Sequence, residues 1–206
     1  MKKIGLYGGS FDPPHFGHIN LAIEIMEKRG LDEVWFIPAQ INPLKIDIPP
    51  ISIVHRLEMV KLAIESIPHF YLKDVEKDQP APSYTINTVK NFIEKEAEHS
   101  KNHFFLLLGE DSVPGFLHWR APGEIVRLAP LLIGSRSGMW QYELHNFDLP
   151  IREAIQEGLT PTRLMDISSS EIRDKIRQKK YCGHLVPLPV LNYIEKNLLY
   201  SSNVMC

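Results

Sequence analysis

Cysteine is scarce: there are two, Cys182 and Cys206, far apart and without metal-ligand spacing. A disulfide framework is therefore not expected, and a reducing compartment is the default setting. An excess of one charge is missing too, because 23 Lys and Arg stand against 25 Asp and Glu, a formal net charge of −2. That balance lacks the basic footprint of a broad nucleic-acid binder, so an anionic ligand must be held by local positive groups. No apolar stretch approaches the roughly 20 residues that cross a bilayer. Lys2 and Lys3 precede only a short apolar run that breaks at Gly8, which is not the build of a secretory leader. A cytoplasmic protein is expected, with no nucleic-acid and no membrane partner; the oligomeric state stays open. The two familiar glycine-rich phosphate signatures, GxGxxG and GxxxxGK[ST], are also lacking.

What is present is ordinary globular material, 44% hydrophobic and 23% charged over 206 residues, enough for one domain with a proper core. Apolar runs at 4–7, 34–38, 71–75, 104–108, 131–133 and 163–166 read as strands. Helical spacing appears at 17–29, 53–67, 86–99, near 112–117, at 123–128, at 151–157 and at 189–199. Alternating strand and helix predict an α/β protein. The expected fold is a single-domain, doubly wound, Rossmann-like parallel sheet with helices on both faces. The domain is expected over 1–200 with a tail at 201–206, fraying from about Tyr200 onward.

The chain is organised around Gly8-Gly9-Ser10-Phe11-Asp12-Pro13-Pro14-His15-Phe16-Gly17-His18, between the first strand and the first helix. Gly8 and Gly9 admit another molecule close to the backbone. The helix start supplies unpaired N–H groups for phosphate. His15 and His18, three apart, can place both imidazoles over one spot. Further on, a Pro-rich loop at 39–51 carries Lys45, and Arg56 follows on the next helix. Both are candidate phosphate cations, Lys45 the stronger because it follows a strand's carboxyl end. Ser83 or Thr85 is a natural N-cap for the 86–99 helix, whose free N–H groups also suit a carboxylate. Gly109-Glu110-Asp111 closes the most apolar strand; if strand order reverses there, its turn faces Gly8 and Gly9 across a crevice. Trp119 reads either as a core plug or as a ligand platform. Ser168-Ser169-Ser170-Glu171 reads as a capped helix start and, with Arg173, as a second phosphate site.

Together these motifs resemble the nucleotidyltransferase superfamily that carries a His-x-Gly-His signature and shares ancestry with class I aminoacyl-tRNA synthetases. Within it, Leu6 to His18, Pro82-Ser83-Tyr84-Thr85, Leu108-Gly109-x-Asp111, Trp119-Arg120, Ile167 to Arg173 and the ending Val186-Pro187…Tyr193-Ile194…Leu199-Tyr200 are similar in wording to bacterial nicotinate-nucleotide adenylyltransferases. The resemblance implies transfer of an adenylyl group from ATP, accompanied by Mg²⁺, to nicotinate mononucleotide. It implies catalytic roles for His15, His18, Lys45 and Arg173. It places ATP on Gly8, Gly9, Ser10, Phe11, His15 and His18 at the first turn, on Gly109 and Asp111 at the second, and on Ser168, Ser169 and Arg173 at the third. It places the mononucleotide on Asn42, Lys45, Ser83, Tyr84, Thr85 and Trp119. Three departures stand out: Asn42-Pro43-Leu44-Lys45 lacks a His before its Lys, Asn87 replaces a usual Asp, and Glu110 replaces a small residue, where it would narrow the adenosine side. The alternatives are adenylyl transfer to nicotinamide mononucleotide or phosphopantetheine, a nucleotide-binding module without turnover, and an aminoacyl-adenylating protein. Retention of His15, His18, Lys45, Ser169 and Arg173 disfavours a dead site, and the short chain disfavours the last.

Overall fold

The computed structural model describes residues 1–41, 43, 49–78, 81–97, 102–135, 144–163 and 165–201. The chain opens with β1 (Lys3–Gly9), α1 (Phe16–Arg29), β2 (Glu33–Pro38), α2 (Ile53–Ile64), β3 (Phe70–Leu72), α3 (Thr85–Ala97) and β4 (His103–Gly109). Two short 3₁₀ turns, Glu110–Ser112 and Pro114–His118, lead into α4 (Pro122–Leu128). Then come β5 (Leu131–Ser135), α5 (Leu149–Gly158), β6 (Leu159–Pro161), α6 (Ser169–Arg177) and α7 (Leu188–Lys196). The strands form one sheet in the order β3-β2-β1-β4-β5-β6, and every neighbouring pair is parallel.

Successive residues of a strand point to opposite faces, and here both faces are covered. Leu6, Trp35 and Leu106 belong to a core shared with α3, α4 and α5. Their neighbours Tyr7, Phe36 and Leu107 belong to a second core, shared with α1, α2 and α7. All six residues of β2 are buried, which is why, after Glu33, the stretch Val34–Pro38 reads as an unbroken apolar run rather than an alternation. At the end of α1, Gly30 adopts the left-handed conformation (φ 62°) and returns its N–H to the carbonyl of Met26, a glycine C-cap that turns the chain toward β2.

The elements match the sequence expectations except near their ends and in one strand. Of the stretch 163–166, Arg163, Met165 and Asp166 are described and belong to no strand, and residue 164 lies outside the described residues; the last strand falls earlier. That strand is Leu159–Pro161, pairing with β5 from Ile133↔Leu159 to Ser135↔Pro161. It is too short to show a period, and Pro161 masks it. Proline is tolerated there because β6 is an edge strand. The N–H of Arg163 turns instead to the carboxylate of Glu24, 3.2 Å away. Tyr200 itself is not frayed, because it is tied back into the molecule; residues 202–206 of the expected tail lie outside the described residues. Among the described residues no helix is long and apolar enough to cross a membrane.

Candidate active site

β1 is the pivot of the sheet, since it pairs with β2 on one side and β4 on the other. The connections leaving β1 and β4 diverge to opposite faces, so a crevice opens beyond their carboxyl ends. A cleft of about 810 Å³ lies there, a size suited to sizeable organic ligands. Gly8, Gly9, Ser10, Phe11, His15 and His18 line it from the β1 turn, and Gly109, Asp111 and Trp119 from the β4 side. Ser83, Tyr84 and Thr85 at the start of α3, and Ser168, Ser169 and Arg173 at the start of α6, complete the wall. The expected crevice between the two glycine turns is therefore present. Asn42 and Lys45 lie outside the described residues; Pro43 between them lines the cleft.

The β1 turn presents its two imidazoles as a stacked pair, with ring centroids 3.7 Å apart and planes tilted by 32°. His15 is the N-cap of α1 in an extended conformation and is 6% exposed. Its backbone N–H donates to Nδ1 of His18 at 3.2 Å. Nδ1 of His18 therefore carries no proton, and the neutral ring keeps its N–H on Nε2. Gly17 between them is required sterically: a Cβ there would stand 2.9 Å from Nδ1 of His15. A Cβ on Gly8 would meet nothing within 4 Å, so that stretch of backbone is open to a ligand. Phe11 is not an open contact of the same kind. It is 1% exposed, and its ring sits edge-on to His18 at 5.1 Å and to Tyr7 at 5.4 Å. It reaches that place with φ at 48°, a left-handed backbone rarely adopted by non-glycine residues. Phe11 thus props the imidazole from behind.

Arg56 does not stand where a phosphate cation would. It is 1% exposed and donates to four backbone carbonyls: Ile51 at 2.9 Å, Ser10 at 2.8 Å, Ala39 at 2.7 Å and Gln40 at 3.0 Å. One guanidinium thereby pins together the turns after β1 and β2 and the entry to α2. Desolvation lowers its pKa from the ordinary value. Glu110 also departs from expectation. It is buried and accepts from the Ser135 hydroxyl at 3.4 Å, and it is not among the residues lining the cleft.

At α6 the serine hydroxyls are already engaged. Ser168 is the N-cap, accepting the N–H of Glu171 at 3.1 Å, and Ser169 donates to the carbonyl of Pro13 at 2.8 Å. Arg173 donates to the carbonyl of Asp12 at 2.7 Å and to the Ser170 hydroxyl at 3.1 Å. The helix start is thus fastened against the β1 turn, and what it offers an anion is the N–H groups of Ser169 and Ser170, with Arg173. At α3, Ser83 does not cap the helix. Its hydroxyl oxygen accepts from the Gln40 N–H and its own N–H donates to the Ile41 carbonyl, both at 3.0 Å. Trp119 is half-buried, backed by Phe116 at 5.1 Å, so it is both packed against the core and part of the cleft wall. Beside it the Arg120 guanidinium lies 5.0 Å over the Tyr84 ring.

Several groups that line the cleft carry no signal in the sequence, Glu76, Arg163, Arg177 and Tyr200 among them. Glu76 is buried and accepts the Thr88 hydroxyl, closing the wall under α3; an isolated acid in a polar loop gives no signal. Tyr200 donates its hydroxyl to Oδ1 of Asp12 at 2.7 Å, across 188 residues of sequence. Among the described residues no group of three or more His, Cys, Asp or Glu could hold a metal ion.

A six-stranded, doubly wound sheet with two imidazoles, two glycine turns and a serine-capped helix around one cleft defines a nucleotide-handling α/β protein. Comparison with known proteins agrees. Residues 6–175 match the family described as cytidylyltransferase-like. The nicotinate-nucleotide adenylyltransferase of Bacillus subtilis (strain 168) is 37% identical, and the probable one of Bacillus pumilus (strain SAFR-032) 38% identical, each alignment covering 98% of this chain and 100% of the relative. The solved structure of Plasmodium falciparum nicotinic acid mononucleotide adenylyltransferase complexed with NaAD shares the fold. Its TM-score is 0.74 at 22% identity, covering 97% of this chain and 98% of that one. The chain belongs to the cytidylyltransferase-like family and, within it, to the nicotinate-nucleotide adenylyltransferases.

Proposed function

We propose that this protein transfers the adenylyl group of ATP to nicotinate mononucleotide, releasing pyrophosphate and forming nicotinate adenine dinucleotide, a step of NAD biosynthesis. The observation that carries the reading is the single cleft that joins the His15–His18 pair and the start of α6 to the start of α3 and Trp119. A phosphate oxygen of the mononucleotide attacks the α-phosphorus of ATP in line; the new O–P bond forms as the bond to the β-phosphate oxygen breaks. The attacking oxygen is already anionic, so no protein base is required, and catalysis is positioning plus stabilisation of charge. Orienting two nucleotides in this way supplies on the order of 7–11 kcal/mol of the barrier. Nε2–H of His18 donates to the pyrophosphate as it leaves, with His15 beside it. The N–H groups of Ser169 and Ser170, with Arg173, hold the outer phosphates, Gly109 and Asp111 border the adenosine, and Lys45 meets the mononucleotide phosphate. Mg²⁺ enters as part of the substrate, bound chiefly by phosphate oxygens and water.

The acceptor end rests on the start of α3. The backbone N–H groups of Tyr84 and Thr85 suit a carboxylate, and the helix dipole adds roughly 0.3–1 kcal/mol for an anion. A carboxamide would turn its NH₂ toward those donors and leave buried groups unpaired, at a cost of about 1–3 kcal/mol. Stacking of the pyridinium on Trp119 is worth about 0.5–2 kcal/mol and is blind to that difference, because both rings carry the positive charge. Trp119→Ala should therefore weaken both mononucleotides by similar factors and leave the preference standing. Relative kcat/KM values for the two acceptors in the variant check this; a collapse of the preference would move the discrimination from α3 to the tryptophan.

Arg173→Ala should weaken ATP binding on the order of tenfold to a hundredfold, the worth of a charge-assisted hydrogen bond, while mononucleotide binding changes little. Titration calorimetry with each ligand separates the outcomes. A fall in acceptor affinity with ATP unchanged would put Arg173 in the other half of the cleft. The function itself is tested by supplying ATP and nicotinate mononucleotide and following both products. Dinucleotide and pyrophosphate should appear in equal amounts, whereas ATP consumption without dinucleotide rules the reaction out.

A further inference from the structure

The end of the described chain is shaped to deliver one side chain to the cleft. After α7 stops at Lys196, Leu198 and Tyr200 both take left-handed backbone conformations, φ 51° and 61°. Non-glycine residues hold such conformations only where their surroundings over-determine them. Leu198 is left 76% exposed by this turn, so the hook serves Leu199 and Tyr200. Both of these pack against the core under α1, α2 and α7, and Tyr200 reaches the cleft wall. There its hydroxyl donates to Oδ1 of Asp12 at 2.7 Å. The other oxygen, Oδ2, lies 3.7 Å from Nη1 of Arg173, and that same Nη1 donates to the Asp12 carbonyl at 2.7 Å. Burial, with the charge of Asp12 beside it, pushes the Tyr200 hydroxyl well above its ordinary range, so it remains a donor at any working pH.

We infer that Tyr200 is a positioning residue for the ATP half of the site: by holding Oδ1 of Asp12 turned toward its own hydroxyl it keeps that carboxylate from rotating into a two-pronged pair with Arg173, and so keeps the guanidinium available to the triphosphate. Arginine and a carboxylate readily form such a fork-to-fork pair when both oxygens are free. Without the Tyr200 hydroxyl, Oδ1 swings to Arg173, and the cation is spent inside the protein. The inference rests on the ATP site proposed above, and it concerns a residue that need not touch the reacting atoms.

The test is Tyr200→Phe, which keeps the ring and its packing and removes only the oxygen. KM for ATP should rise about tenfold, the scale of one charge-assisted hydrogen bond, while KM for the mononucleotide stays within about twofold of the parent. In an Asp12→Asn background, where no carboxylate competes for Arg173, the same change should alter KM for ATP less than about twofold. Three results would overturn the inference: an unchanged KM for ATP, an equal rise in both KM values with a lowered melting temperature, or an effect that persists undiminished beside Asp12→Asn. Equilibrium binding of a non-hydrolysable ATP analogue to all four proteins repeats the comparison without turnover. If the parent protein makes no dinucleotide, the proposed reaction fails. If it does, and the analogue binds Tyr200→Phe as tightly as the parent, only the role of Tyr200 fails.

Discussion

Replacing His18 by alanine should lower kcat a hundredfold or more in a protein that remains folded. The expectation comes from where the side chain stands and which atom it offers. His18 is fixed at Nδ1 by the N–H of His15 and held between the rings of His15 and Phe11, so Nε2–H is set before substrate arrives. A preorganised donor facing the developing charge of a transition state is typically worth about 3–4 kcal/mol. The mutation also removes one member of the α1 cap, but cap losses are on the order of 1 kcal/mol, too small to unfold a two-core sheet. Circular dichroism and steady-state rates on the same preparation separate the two effects. Turnover near the parent rate in a folded variant would remove His18 from the mechanism.

Arg56→Ala should act on stability rather than on chemistry, and strongly. The side chain is buried and donates to four carbonyls from the turns after β1 and β2 and the α2 entry. Losing a buried cation leaves those carbonyls unmatched and a hole behind. Bonds to a charged group are worth about 1.5–3 kcal/mol each, and not additively, so the loss should be about 3–5 kcal/mol. For a chain of this size that is a fall in melting temperature of roughly 10 °C. Arg56→Lys keeps the charge but cannot span four acceptors with a fork, so it should recover only part of the loss. An alanine variant as stable as the parent but deficient in nucleotide binding would return Arg56 to the role of a phosphate cation.

Arg56 also shows where sequence stops being informative. A lone arginine one turn into a helix looks alike whether it faces water or backbone; only the convergence of Ser10, Ala39, Gln40 and Ile51 on it decides. Tyr200 is the stronger case, since its partner is Asp12 and nothing near residue 200 in sequence points there. By contrast, the sheet was legible because β1, β2, β4 and β5 are continuous apolar runs between turn-forming residues, which parallel strands covered on both faces must be. β6 was misplaced because a three-residue edge strand ending in proline carries no period. The β1 turn was legible because two histidines, two glycines and a helix start crowd into eleven residues, and Gly17 has a steric reason, the ring of His15. Of the two readings the serines allow, cap or ligand group, the cap holds at Ser168, whereas the hydroxyls of Ser83 and Ser169 stitch neighbouring turns together. The free groups beside them are backbone N–H, whose availability depends on where each helix begins.

The most direct measurement is the ratio of kcat/KM for nicotinate mononucleotide to that for nicotinamide mononucleotide, followed as pyrophosphate released from ATP. Donors at the start of α3, an anion-favouring helix dipole and unpaired groups opposite a carboxamide together predict a ratio of at least ten, toward a hundred if the penalties combine. Comparable kcat/KM values for the two acceptors would contradict it.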